Sequence, residues 1–68
     1  MELMVNGKKQ QVPDGLTAAQ LLSTLQVVPE RVVVELNLQI LKRAQLGQAV
    51  LKEGDQVEIV HVIGGGAR

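Results

Sequence analysis

The first residues alternate. Leu3 and Val5 fall between Glu2, Met4 and Asn6, the period of two that sends one set of side chains to each face of a strand. Asn6-Gly7 follows at once, and both residues tolerate the positive φ that a type I′ hairpin turn requires. Lys8 to Val12 returns as a polar strand suited to a sheet edge, where lysines discourage edge-to-edge pairing. Pro13-Asp14-Gly15 ends it as a turn. Thr17-Ala18-Ala19-Gln20 has the spacing of a capping box, with Thr17 serving a free backbone N–H and Gln20 reaching back. Ala18, Leu21, Leu22 and Leu25 then make one apolar helical stripe. Pro29 limits the helix, which is expected to run about three turns and end near Gln26.

After Pro29 the period changes. Val32-Val33-Val34 is a β-branched run within Arg31 to Leu36, suited to a strand covered on both faces. Asn37-Leu38 reads as a turn and Gln39 to Lys42 as a short strand. Arg43 to Gly47 carries no clear period and fits either a loop or a short helical turn. Lys52-Glu53-Gly54-Asp55 is a turn, and Gln56 to Ile63 is the last strong strand. Hairpin, helix, strand, short strand and strand predict an α+β domain over residues 1–63. Its mixed sheet of four to five strands packs on one helix, the β-grasp arrangement, with the first and last strands parallel at the centre. Leu3, Val5, Leu21, Leu22, Leu25, Val32, Val34, Val57 and Ile59 are its expected core. Residues 64–68 form a separate, flexible glycine tail.

Composition narrows what such a domain can do. Sixty-eight residues make one small domain, with 46% hydrophobic residues, no aromatic residue and no cysteine. The core is therefore aliphatic, and neither a disulfide nor a thiolate zinc site is available. Seven basic residues balance seven acidic ones, which argues against a nucleic-acid binder with its basic face. Stacking aromatics are missing too. No apolar run approaches the roughly 20 residues of a membrane span, and the N-terminus lacks a signal peptide's pattern. The expectation is a cytoplasmic, soluble protein. With one histidine and no cysteine, few nucleophilic or metal-based sites can be assembled, so the sequence argues against a self-contained enzyme and a bound metal.

The candidate chemistry lies at the C-terminus. Gly64-Gly65-Gly66 precedes no helix, so it is not a phosphate loop. A narrow arm without Cβ atoms can thread a tight channel and let its carbonyl be approached closely; three extended residues reach about 10 Å. A frayed end is the plain alternative. His61 reads as a structural or surface histidine. Glu35, Glu53 and Asp55 form no convincing acid–base pair. On the last strand Val57 and Ile59 are assigned to the helix face, which turns Val60 and Val62 outward. Those two valines are either covered elsewhere or form an aliphatic docking patch for a protein partner, and the sequence favours neither.

The chain resembles the ThiS family, the sulfur carriers of thiamine thiazole synthesis, over nearly its whole length. The likeness rests on the hairpin at Asn6-Gly7 and on Leu16-Thr17-Ala18-Ala19-Gln20-Leu21-Leu22. It continues through Val34-Glu35-Leu36-Asn37 and Ile40-Leu41-Lys42-Arg43. Its most specific part is Glu53-Gly54-Asp55-Gln56-Val57-Glu58-Ile59 followed by Val62-Ile63-Gly64-Gly65-Gly66. The resemblance implies a ubiquitin-like β-grasp fold that binds no cofactor itself. It implies an E1-like adenylating enzyme of ThiF type that uses ATP on the terminal carboxylate, a sulfur-donor enzyme, and a thiazole synthase of ThiG type that receives the sulfur. Carried over by position, Gly66 would bear the adenylate and then the thiocarboxylate, and Gly64 and Gly65 would thread the partner's channel.

One feature departs from the family pattern: Ala67 and Arg68 follow Gly66. An amide carbonyl at Gly66 cannot be adenylated. The extension is therefore either trimmed, as similar carriers are by a metalloprotease, or foreign to the natural carrier. This leaves open carriers for cysteine, methionine or siderophore-type products, the small subunit of molybdopterin synthase, and a non-covalent β-grasp interaction module.

Overall fold

The computed structural model describes residues 1–62 of the chain. Ile63 and the expected tail, Gly64 to Arg68, lie outside the described residues. The described chain forms β1 (Glu2–Val5), β2 (Lys8–Gln11), α1 (Ala18–Thr24), a 3₁₀ turn at Pro29–Arg31, β3 (Val32–Leu36), β4 (Gln39–Leu41), α2 (Arg43–Leu46) and β5 (Gln56–His61). The five strands lie in one sheet in the order β2-β1-β5-β3-β4. β5 is central. It runs parallel to β1 with Val5 beside Val57 and antiparallel to β3 with Val34 opposite Ile59. The mixed sheet and the parallel pairing of first and last strands follow the expectation.

Both hairpins turn through residues at positive φ. Asn6 and Gly7 stand at 51° and 80°, Asn37 and Leu38 at 51° and 72°, the pattern that matches the twist of two flanking strands. The lysine-bearing β2 is an edge strand. It stops at Gln11, one residue short of the expected end.

The capping box is present: Thr17 Oγ1 accepts the Gln20 N–H at 3.1 Å and Gln20 Oε1 accepts the Thr17 N–H at 2.9 Å. The helix is shorter than expected. It spans seven residues, Ala18–Thr24, about two turns, and Pro29 is not what stops it. Gln26 turns to a φ of 59°. Its N–H donates to Ser23 O at 3.0 Å and the Val27 N–H to Leu22 O at 2.9 Å, the paired bonds of a Schellman ending. A glutamine in the place usually held by glycine gave no warning of that stop.

One aliphatic cluster fills the space between the sheet and the helices. Leu3, Val5, Val34, Val57 and Ile59 contribute from the sheet, and Ala18, Leu21 and Leu22 from α1. Leu25 and Val32, expected inside, are half-buried at its margin. Leu46 and Leu51 are buried members that no periodic pattern announced. Residues 49–51 run back along the entry to α1, with Ala18 N–H bonded to Ala49 O at 2.9 Å and Leu51 N–H to Leu16 O at 2.8 Å. This tether draws Leu51 into the core. The Val32 to Val34 run is not covered on both faces: Val34 is buried and its neighbours are half-exposed.

Candidate functional site

The last strand begins in a braced turn. Gly54 takes a φ of 84°, its N–H donates to Glu2 O at 2.8 Å, and the Met4 N–H donates to Asp55 O at 2.9 Å. Glu53 Oε1 accepts the Glu2 N–H at 2.9 Å. Asp55 Oδ2 accepts the Lys52 N–H at 2.8 Å and its Oδ1 accepts from Asn37 Nδ2 at 3.1 Å. Asn37 Oδ1 in turn accepts the Gln56 N–H at 3.0 Å. The carboxylates of Glu53 and Asp55 thus complete backbone hydrogen bonds that start β5 beside β1, an assembly for positioning a strand.

The other end of β5 leads toward the glycine run. The strand ends at His61, two residues earlier than expected, and the Val62 N–H donates to Arg31 O at 2.9 Å. Asn6 Oδ1 accepts the Ile59 N–H at 2.7 Å and Asn6 Nδ2 donates to Ile59 O at 3.3 Å. Sequence reasoning assigned Asn6 to the hairpin turn alone; a side chain reaching across 53 positions leaves no local pattern to read.

Val60 and Val62 are 51% and 56% exposed. Val60 lies opposite Val33, and Glu58 lies opposite Glu35, which in turn pairs with Ile40 on β4. Successive strand residues point to opposite faces, and Val57 and Ile59 belong to the buried cluster. Val60, Val33, Glu58, Glu35 and Ile40 therefore share the face turned away from α1. Ile40 is 66% exposed. The alternation of Gln39, Ile40 and Leu41 could have assigned it there, although three residues make a weak pattern.

Among the described residues no catalytic constellation stands beside this face. His61 is exposed, and among the described residues no group of three His, Cys, Asp or Glu side chains could hold a metal. A shallow cleft of about 120 Å³ is lined by Pro29, Val32, Val33, Val34, Ile40, Leu41, Arg43 and Leu46. A broader groove of about 400 Å³ runs along Ala19, Ser23, Gln26, Val27, Val28 and Pro29. The first offers one titratable group and the second none. Among the described residues no helix is long and apolar enough to cross a membrane.

A five-stranded mixed sheet with β5 central, closed on one face by a capped helix, defines the α+β β-grasp class of ubiquitin-like proteins. The ThiS family model matches residues 1–66. The chain is 32% identical over 66 residues to the sulfur carrier protein ThiS of Escherichia coli K12, a match covering 97% of this chain and 100% of that one. It is 42% identical over 66 residues to a thiazole synthase of Magnetococcus marinus, covering 97% of this chain but only 20% of that enzyme; the chain thus spans about a fifth of that relative's length. The crystal structure of the thiamine biosynthesis protein ThiS from Geobacter metallireducens superposes with a TM-score of 0.85 at 42% identity, covering 97% of this chain and 100% of that chain. The chain belongs to the ThiS family.

Proposed function

We propose that this chain carries sulfur for thiamine thiazole synthesis as a thiocarboxylate on Gly66. The observation that carries the reading is where the likeness stops: the family match spans residues 1–66, and the whole Escherichia coli carrier aligns within a span of that length. The β-grasp domain supplies a docking face and the glycine run supplies the reacting carbonyl.

The chemistry belongs to a partner. On a ThiF-type activating enzyme, an oxygen of the Gly66 carboxylate attacks the α-phosphorus of ATP and pyrophosphate leaves, giving a mixed anhydride. A hydrosulfide ion released by the sulfur-donor enzyme then attacks the carbonyl carbon and AMP leaves, giving the thiocarboxylate. Gly64 and Gly65 thread the channel because they present no Cβ to its walls. Val60 and Val62 dock the partner, with Val33 and Ile40 extending the aliphatic face and the paired carboxylates of Glu35 and Glu58 favouring basic groups opposite them.

A thiazole synthase of ThiG type receives the sulfur. Regions similar to this chain occupy about a fifth of two thiazole synthases, and covalent linkage of donor and acceptor raises their effective concentration. The test uses the chain ending at Gly66, incubated with ATP, a ThiF-type enzyme and a sulfur donor. Intact mass spectrometry should show one oxygen replaced by sulfur, and a product that then loses the sulfur to thiazole synthase. A chain whose mass never changes would return the protein to the class of non-covalent interaction modules.

A further inference from the structure

The parallel ladder between β1 and β5 is two register pairs long, Met4 with Gln56 and Val5 with Val57. β1 ends at Val5, and the Asn6-Gly7 turn sends the chain back into β2. β5 continues to His61. Beyond the Asn6 N–H bond to Val57 O at 2.9 Å, no β1 residue stands beside it. Ile59 is only 8% exposed, and a buried main-chain group without a partner is costly. The Asn6 carboxamide fills the gap: it accepts the Ile59 N–H at 2.7 Å and donates to the Ile59 carbonyl at 3.3 Å. A carboxamide carries the same donor and acceptor as a peptide unit, so one side chain adds a further rung where the strand has ended.

The opposite edge of this stretch is held by main chain. Val32 pairs with His61, and Arg31 O accepts the Val62 N–H at 2.9 Å. The last turn-free part of β5 is therefore gripped on both sides, by β3 and its approach on one and by a single asparagine on the other.

We propose that Asn6 is a positioning residue: it holds β5 in line past the end of β1 and so sets the direction in which the chain leaves the sheet toward Gly66. The functional half of this inference rests on the carrier reading above. Asparagine suits both demands of the position, since it tolerates the φ of 51° found there and offers the peptide-like pair. Glycine meets only the first demand. Aspartate meets the first and supplies the acceptor, but it places a second oxygen against the Ile59 carbonyl.

Asn6→Gly and Asn6→Asp separate the roles. Amide hydrogen exchange on the chain ending at Gly66 should show Ile59 exchanging up to about tenfold faster in Asn6→Gly, the equivalent of one net hydrogen bond, with Val34 and Leu21 unchanged. In Asn6→Asp the Ile59 amide keeps its acceptor and its protection. Pyrophosphate release is then measured with ATP and a ThiF-type enzyme. Asn6→Gly should lower kcat several-fold at unchanged KM, because the docking face is intact while fewer docked complexes present Gly66. Asn6→Asp should fall between Asn6→Gly and the parent chain. Unchanged exchange at Ile59, or faster exchange spread over the whole sheet, overturns the clamp. A rise in KM with kcat preserved overturns the aiming role. If the parent chain releases no pyrophosphate, the carrier reading fails and the aiming role with it, whereas the exchange at Ile59 still decides the clamp.

Discussion

Leu22 has 0% of its surface exposed and lies between α1 and the sheet. Removing a buried leucine side chain forfeits its transfer free energy and leaves a cavity, so Leu22→Ala should cost about 2–5 kcal/mol. That is a large share of the 5–15 kcal/mol typical of a small domain, and the urea midpoint should fall accordingly. Leu38 predicts the opposite sign. It holds a φ of 72° and is 85% exposed, so it gains little from packing and bears the steric penalty of the left-handed region. That penalty is about 1–2 kcal/mol; glycine removes it and loses roughly 0.5–1 kcal/mol in chain entropy. Leu38→Gly should therefore raise stability by up to about 1.5 kcal/mol, read from the same denaturation curve. Single residues were unevenly legible in the sequence. Leu3, Val5, Leu21, Leu22, Val57 and Ile59 announced their burial by period. Leu46 and Leu51 did not: Leu51 is an isolated leucine brought inward by its N–H bond to Leu16 O, and Leu46 sits in a four-residue helix too short to show a period. Asn6 looked like a turn residue because its second role depends on a strand more than fifty positions away.

Among the elements, β3 and β5 make the pairing on which the outer face depends. Their register sets Glu35 directly opposite Glu58, and like charges so placed repel. No ion pair to either carboxylate occurs among the described residues. Glu58→Gln should therefore stabilise the domain by roughly 0.2–1 kcal/mol. The gain should shrink as salt is added, since the pair lies on an accessible face. A gain independent of salt in thermal denaturation would point away from charge repulsion. The elements themselves were readable wherever a local rule governs them. The Thr17–Gln20 capping box, the positive φ of Asn6-Gly7 and the Asp55 Oδ2 bond to the Lys52 N–H each involve residues within a few positions of one another. The end of α1 was placed near Gln26 but for the wrong reason: the chain reverses at Gln26 itself, a glutamine with no intrinsic stop signal, and Pro29 plays no part in it. The end of β5 was overestimated for a related reason. Val62 is β-branched and apolar like its predecessors, but β3 supplies partners only as far as Val32.

At the scale of the whole molecule the proposed docking face and the proposed reacting end separate two kinds of defect. Val60→Asp places a charge on the aliphatic face without touching the core, so it should raise KM for the activating enzyme while the fold, checked by denaturation, is kept. The reacting end itself predicts that a chain carrying Ala67-Arg68 is an inactive precursor. Adenylation needs a carboxylate oxygen to attack the α-phosphorus of ATP, and the carbonyl of Gly66 followed by Ala67 is an amide with no such oxygen. A terminal carboxylate on Arg68 is no substitute, because the arginine would bring bulk and charge into a slot suited to glycine, at the cost of desolvating the guanidinium. In intact mass spectrometry after incubation with ATP, a ThiF-type enzyme and a sulfur donor, the chain ending at Gly66 should gain sulfur in place of one oxygen. The chain ending at Arg68 should keep its mass unless a protease first removes the last two residues. Within the trimmed chain, Gly66→Ala should react poorly because its Cβ stands beside the carbonyl under attack, whereas Gly64→Ala, nearer the sheet, should be milder. Sulfur found on a chain that still retains Ala67-Arg68 would show that the activating chemistry does not use the Gly66 carboxylate.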